Sequence, residues 1–92
     1  MTNSDILAML KSNLQIMGTT WDVYLAQLIE ASKRSIEREG ITLDVGEIDD
    51  INLIVMYASY LYRKRNDDST GMPRMLRYAL NNRLLSQKAV IT

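Results

Sequence analysis

The sequence predicts a small all-α protein, a helical bundle of about four helices. Apolar residues recur at intervals of three and four along most of the chain, as they do on one face of a helix. The four glycines fall between these periodic segments, where helices end. The 92 residues are 47% apolar, which is sufficient for one modest core and a single domain. The predicted helices span roughly residues 4–16, 21–39, 47–65 and 73–86, and residues 87–92 are expected to form a flexible C-terminal tail.

The first helix is predicted from an apolar line at helical spacing, formed by Ile6, Leu7, Leu10 and Leu14. Ser4 is expected to cap its start. Asp5 lies in the first turn, where the helix dipole favours an acid. Gly18 is a natural stop, so the helix should end near residues 15–17.

The second helix has the clearest apolar stripe in the chain, formed by Trp21, Leu25, Leu28, Ser32 and Ile36. Its opposite face is charged, and Glu30 and Arg34 form a favourable pair one turn apart. Thr19 and Thr20 are candidate caps at its start. Gly40 is expected to close the helix in a left-handed conformation.

The third helix is predicted to be the centre of the fold, because the segment from Ile51 to Arg65 is apolar nearly all round. Such a helix must be covered by other helices or by another subunit. Two interpretations remain open. It is either a core helix of a small monomer, or a central helix with part of its surface meant for a neighbouring copy. Asp44 or a nearby residue is expected to cap its start.

The fourth helix is predicted to begin at Pro73, since a proline in the first turn lacks only an N–H that has no partner there. Its apolar line continues through Met72, Leu76, Leu80 and Leu84.

The composition leaves little room for site chemistry. The chain has no cysteine and no histidine, which excludes disulfides, thiolate chemistry, histidine catalysis and the usual zinc sites. Its glycines form no phosphate-binding loop, and its clustered acids lack the spacing of a calcium loop. No apolar run approaches the roughly 20 residues that span a bilayer, and no signal peptide is visible. We therefore predict no cofactor, no metal, no membrane contact and no catalytic residue.

Charge is divided unevenly along the chain, although the net charge is zero. Residues 1–62 carry four basic and nine acidic residues, a net charge of −5. Residues 63–92 carry seven basic and two acidic residues, a net charge of +5. Three explanations stay open: a nucleic-acid-binding end, a head-to-tail contact between subunits, or two solvated surfaces of one monomer. The helix dipole by itself also accounts for acids at the start of the third helix and bases at its end.

The order of the predicted segments resembles a known protein family. The segments are "DVYLAQLIEASKRSIEREG", an acidic connection, a third helix ending in "YASYLYRKRND", and the closing "GMPRMLRYALNNRLLSQK". Together they are similar to the small head–tail connector proteins of tailed bacteriophages, also called DNA-packaging or adaptor proteins. The similarity covers roughly Ile6 to Lys88 and lies in order and spacing, since no short catalytic or binding motif is present.

The resemblance implies a structural virion protein that is not an enzyme. Members of this family assemble as a homo-oligomeric ring beneath the portal protein of a filled capsid. They extend the channel through which the packaged DNA passes, and head-completion or tail proteins dock on them. The implied location is the head–tail interface of the virion, after assembly in the cytoplasm of the bacterial host, and the source would be a phage or a prophage.

The charge distribution supplies candidate residues for the contact between subunits of such a ring. A closed ring needs two different patches on each subunit. We expect an acidic patch of one copy to face a basic patch of the next. The acidic candidates are Asp44, Glu47, Asp49 and Asp50, and the basic candidates are Arg63, Arg65, Arg74 and Arg77.

Two other functions are weighed against the adaptor. A small helical DNA-binding or regulatory module would use the basic residues to neutralise phosphates. The zero net charge and the Asp67–Asp68 pair within the basic region argue against it. An enzyme, or an accessory subunit of one, would need a pocket with convergent polar groups.

Overall fold

Four helices form the protein in the computed structural model, which describes residues 2–65, 67, 69 and 71–91, with only the backbone of 89–91. The helices are α1 (Asn3–Leu14), α2 (Asp22–Arg38), α3 (Ile48–Lys64) and α4 (Arg74–Ile91). No strand occurs among the described residues. The predicted all-α bundle of four helices is therefore confirmed.

Helix α3 is the centre of the bundle, since it packs against α1, α2 and α4, whereas α4 packs mainly on α3. Its buried apolar residues are Ile51, Leu53, Ile54, Val55, Ala58 and Tyr60. Its remaining apolar residues are partly covered by the same core: Met56, Tyr57, Leu61 and Tyr62. The chain itself therefore covers the central helix, which favours the core-helix interpretation over a surface reserved for a neighbour. Only Ile48, at the first position of α3, stays half exposed.

The start of α1 differs from the prediction. Thr2, not Ser4, is the cap: its hydroxyl accepts a hydrogen bond from the Asp5 backbone N–H at 3.3 Å. The Asp5 carboxylate accepts one from the Thr2 backbone N–H at 3.1 Å, which completes a capping box. The hydrogen bonds from Thr2 hold the pKa of Asp5 below its ordinary value. The helix ends at Leu14, because Gln15 takes a left-handed conformation (φ 58°) before Gly18 is reached.

The other helix ends follow the sequence only in part. Gly40 has φ +98° and closes α2 as predicted. Trp21 occupies the cap position of α2 without a side-chain hydrogen bond, so neither Thr19 nor Thr20 caps it. Glu47 precedes α3 and likewise makes no capping bond, and Asp44 instead accepts a hydrogen bond from the Gly46 backbone N–H.

Helix α4 is longer than predicted. It begins at Arg74, directly after the proline, and continues to Ile91, so the residues of the predicted tail are helical up to that point. Gln87 gives one physical reason. Its Nε2 donates to the Gly40 carbonyl at 2.9 Å, and its Oε1 accepts from the Thr42 backbone N–H at 2.7 Å. These two bonds hold the last turns of α4 against the connection between α2 and α3.

Candidate subunit interface

Asp50 does not belong to an exposed acidic patch, contrary to the prediction. It is only 2% exposed. Arg83 of α4 donates to it from Nε at 2.6 Å and from Nη2 at 3.1 Å, and the Asp44 backbone N–H donates to it at 2.8 Å. The helical periodicity that places Leu53 and Ile54 in the core also turns Asp50 inward. A buried carboxylate requires such a partner, so Asp50 is unavailable to a neighbouring copy.

The buried pair sets the pKa of both of its groups. Burial by itself would raise the pKa of Asp50. The hydrogen bonds from Arg83 and the Asp44 backbone outweigh burial, and with the charge of Arg83 they hold this pKa below its ordinary value. The hydrogen bonds to Asp50 raise the pKa of Arg83 in turn. Both groups are therefore charged at neutral pH.

Arg77 also has a partner within the chain. Its Nη1 donates to Glu39 Oε1 at 2.7 Å and its Nη2 donates to Glu39 Oε2 at 3.2 Å, a two-pronged pair between α4 and the end of α2. These hydrogen bonds raise the pKa of Arg77. We therefore remove Arg77, with Asp50, from the candidate contacts between copies.

The remaining acidic candidates lie together at the start of α3. Asp44, Glu47 and Asp49 are exposed, and none forms an ion pair with another described residue. Two apolar side chains accompany them: Val45 is 42% exposed and Ile48 is 52% exposed. We call Val45, Glu47, Ile48 and Asp49 the acidic patch. It combines a small apolar surface with negative charge.

Arg65 lies at the opposite end of α3, among three aromatic rings. Its guanidinium carbon is 4.6 Å from the centre of the Trp21 ring, 5.2 Å from that of Tyr24 and 5.6 Å from that of Tyr62. The Trp21 and Tyr24 rings contact each other edge to face at 6.1 Å. We call these four residues the aromatic–arginine cluster. It joins the start of α2 to the end of α3.

The two other basic candidates, Arg63 and Arg74, lie on either side of Arg65 in the sequence, and Lys64 is a further basic residue beside them. Arg63, Lys64 and Arg74 are exposed, and none of them forms an ion pair with a described residue. Lys64 lies over the Tyr60 ring at 5.6 Å. The basic end of the chain therefore carries several cations whose charge the described part of the monomer does not neutralise.

Helix α4 presents a further apolar surface. Met75 is 72% exposed, Tyr78 is 55% exposed and Leu85 is 64% exposed. Their spacing of three and seven residues places them on one face of the helix. Met75 and Tyr78 are neighbours one turn apart, Leu85 lies two turns further on beyond the exposed Asn81 and Asn82, and all three are available for contact with another protein.

Two of these arrangements, the Asp50–Arg83 pair and the aromatic–arginine cluster, are not among the predicted sites, although each leaves a signal in the sequence. Asp50 lies one turn before Ile54 on an apolar line, and Arg83 lies three residues after Leu80, beside the line of Leu76, Leu80 and Leu84. A charged residue on or beside an apolar line indicates a buried group that needs a partner. The aromatic–arginine cluster leaves a weaker signal, since its members come from two separate helices.

Neither a metal site nor a membrane span is visible in the part of the chain that the structure describes. No three acidic side chains there converge as a metal ion would require. None of the described helices is both long and apolar enough to cross a membrane.

Comparison with known proteins adds no relative. No family model matches the chain, and no curated protein or solved structure is significantly similar to it. The resemblance to head–tail connectors therefore rests on the order and spacing of the segments quoted above.

Proposed function

We propose that this chain is a structural subunit of a phage virion, a head–tail connector that acts without enzymatic chemistry. In this proposal, copies of the chain assemble as a ring beneath the portal protein. The ring extends the channel for the packaged DNA and provides the surface on which head-completion or tail proteins dock. The site of action is the head–tail interface, after assembly in the bacterial cytoplasm.

The observation that carries the proposal is the exposure of opposite charges at the two ends of α3. The acidic patch lies at its start, and Arg63, Lys64 and Arg65 lie at its end. A helix of 17 residues separates them by about 25 Å, at 1.5 Å per residue. The two ends of one copy therefore cannot meet, whereas the ends of two copies can. Two different, complementary patches are what a ring needs.

The exposed apolar stripe of α4 gives separate support. A monomer gains nothing by exposing Met75, Tyr78 and Leu85 on one helix face, while a subunit of an assembly can bury them. This surface does not depend on the charges of α3. The proposal thus draws on two separate parts of the molecule.

The mass of the purified protein in solution tests the proposal. We expect light scattering after size exclusion to show an oligomer of more than two copies at low salt. The oligomer should dissociate as salt rises toward 1 M, where charges are screened beyond about 3 Å. A protein that stays a monomer of 10.5 kDa at every salt and protein concentration would contradict the proposal.

A DNA-binding module is the second candidate, and the basic end favours it. Arg63, Lys64, Arg65 and Arg74 are all exposed there, with Asp67 in the same region. If these cations bind phosphates, affinity for duplex DNA should fall steeply with salt, with a slope that reports several phosphates. Absence of salt-dependent binding would eliminate this candidate and leave the connector.

A further inference from the structure

We propose that the aromatic–arginine cluster of one copy binds the acidic patch of a second copy, with Arg65 placed between Glu47 and Asp49. This inference rests on the proposed function, because it names the contact through which the ring would form. The contact is a head-to-tail one: the end of α3 in one copy meets the start of α3 in the next.

The cluster presents Arg65 in a form suited to a carboxylate. Three rings lie within 5.6 Å of its guanidinium carbon. Stacking on aromatic rings limits the movement of a guanidinium and leaves the N–H groups at its edge free to donate. Arg65 is exposed and forms no ion pair with any described residue. It is therefore a solvent-facing donor beside aromatic rings, without an ion-pair partner in the described part of its own chain.

The composition of the cluster is that of an interface centre. Tryptophan, tyrosine and arginine are the residues that most often dominate binding energy between proteins. Trp21 is 38% exposed although its ring lies beside Arg65. A partner that covers this exposed part would remove apolar area from water and strengthen the charge interaction by excluding solvent.

The acidic patch has the complementary properties. Val45 and Ile48 supply apolar area that Trp21 can cover, and Glu47 and Asp49, which precede and follow Ile48 in the sequence, supply exposed carboxylates. Neither carboxylate forms an ion pair with a described residue. Asp50, the next acid in the sequence, already has Arg83 as its partner and is buried. The patch therefore offers two available carboxylates beside exposed apolar side chains.

The occupant is a second copy because one chain carries both the exposed cation of the cluster and the exposed carboxylates of the patch, at positions too far apart to meet within that chain. The cluster and the patch lie at opposite ends of α3, so one copy can bind two neighbours at once. Repetition of this contact produces a ring if the rotation between copies closes. Two antiparallel copies could also form both contacts in a closed dimer, and the measured mass separates these two assemblies.

A charge exchange tests the contact. Arg65→Glu should weaken self-association at least about tenfold, because two like-charged groups would face the new carboxylate. Asp49→Arg should weaken it similarly. The double variant that combines them should recover most of the lost affinity, since the pair is restored with its charges exchanged. Sedimentation velocity gives the affinity, and the emission of Trp21, the sole tryptophan, gives an independent signal from the contact itself.

Arg34→Glu is the matched control. Arg34 is exposed on α2 and lies outside both the cluster and the patch. Contrary to the prediction it does not pair with Glu30, which pairs with Lys33 at 3.5 Å, and it forms no ion pair with another described residue. Arg34→Glu changes the net charge by the same amount as Arg65→Glu. The affinity of its self-association should nevertheless stay within about twofold of that of the native protein. Arg65→Lys retains the charge and loses the planar guanidinium. The affinity of its self-association should therefore lie between those of the native protein and Arg65→Glu.

Each outcome decides between the two proposals. If the native protein assembles and Arg65→Glu behaves like Arg34→Glu, the contact is wrong and the connector function survives. If the native protein forms only dimers that the charge exchange controls, the contact is right and the ring is wrong. If the native protein never associates, both fail. Should Arg65→Glu lose its helical circular dichroism, Asp49→Arg carries the test alone, because Asp49 is exposed and makes no ion pair with a described residue.

Discussion

Arg83 of α4, whose side chain is 25% exposed, forms an ion pair with the buried Asp50 of α3 through two hydrogen bonds, of 2.6 and 3.1 Å. Arg83 also donates to the Thr42 carbonyl at 2.8 Å, and the Asp44 backbone N–H donates to Asp50 at 2.8 Å. One pair of side chains therefore joins α3, α4 and the connection before α3. Because α4 packs mainly on α3, this pair helps to fix its position, together with the hydrogen bonds of Arg77 and Gln87.

Removal of Arg83 should destabilise the protein strongly. Arg83→Ala leaves the Asp50 carboxylate buried without its cation, which typically costs about 3–5 kcal/mol. Equilibrium unfolding in urea measures the change, at a salt concentration high enough to keep the protein monomeric. Arg34→Ala removes an exposed arginine without an ion pair among the described residues, and its effect should stay within about 0.5 kcal/mol. Equal effects of the two variants would contradict the role given to the pair.

The Asp50–Arg83 pair should make the free energy of unfolding depend on pH in the acidic range. The pKa of Asp50 in the folded protein lies below its ordinary value of about 3.9. Its contribution is therefore complete at neutral pH and is lost as the pH falls through about 4 toward the lower folded pKa. Asp50→Asn cannot titrate. The difference in the free energy of unfolding between the native protein and Asp50→Asn should be constant from pH 7 to pH 5.5 and should shrink by pH 3. A difference that grows as the pH falls would contradict the lowered pKa of Asp50 in the folded protein.

The sequence predicts the helices of this protein well, because apolar spacing and glycines are local signals. The four helices and the left-handed closure of α2 at Gly40 follow from it directly. The cap of α1 lies two residues before the predicted Ser4, because Thr2 has Asp5 three residues after it and the two form a capping box, which is also a local signal.

Pairings between distant residues were beyond sequence reasoning. Arg83 and Asp50 are 33 positions apart. Their places relative to the apolar lines indicate burial, but the sequence does not show which of the seven basic residues after Tyr62 is the partner of Asp50. Only the packing of α4 on α3 selects it. The same packing places Arg77 beside Glu39, which removes it from the predicted interface. A contact between subunits through the exposed acids and Arg63, Arg65 and Arg74 stays a prediction.

Two leucines of α4 offer a matched test of its packing. Leu76 is 1% exposed and Leu85 is 64% exposed on the same helix. Leu76→Ala should cost about 2–5 kcal/mol through lost burial and the cavity it leaves. Leu85→Ala should change the stability of the monomer by less than about 0.5 kcal/mol. Thermal or urea unfolding of the monomer checks both. If the two variants lost similar stability, the face of α4 that meets α3 would have been assigned wrongly.

Gly40 should be intolerant of a side chain for a conformational reason. Its φ of +98° lies in the region that L-residues rarely adopt, while an added Cβ would meet only Leu84 Cδ1 at an ordinary 3.6 Å. Gly40→Ala should therefore cost about 1–2 kcal/mol from the backbone rather than from a clash. Gly71→Ala is the control, because Gly71 lacks the positive φ and a Cβ there meets nothing within 4 Å. Unfolding free energies of the two variants measure the difference, and a neutral Gly40→Ala would contradict the left-handed conformation.

The central claim is that copies of this chain close into a ring, and native mass spectrometry of the protein at low salt tests it most directly. We expect one dominant mass, an integral multiple of the 10.5 kDa chain with more than two copies. A heterologous contact whose rotation closes after a whole number of copies produces a ring with one fixed number of subunits. A ladder of increasing masses would indicate an open filament. A monomer or a dimer alone would contradict the claim.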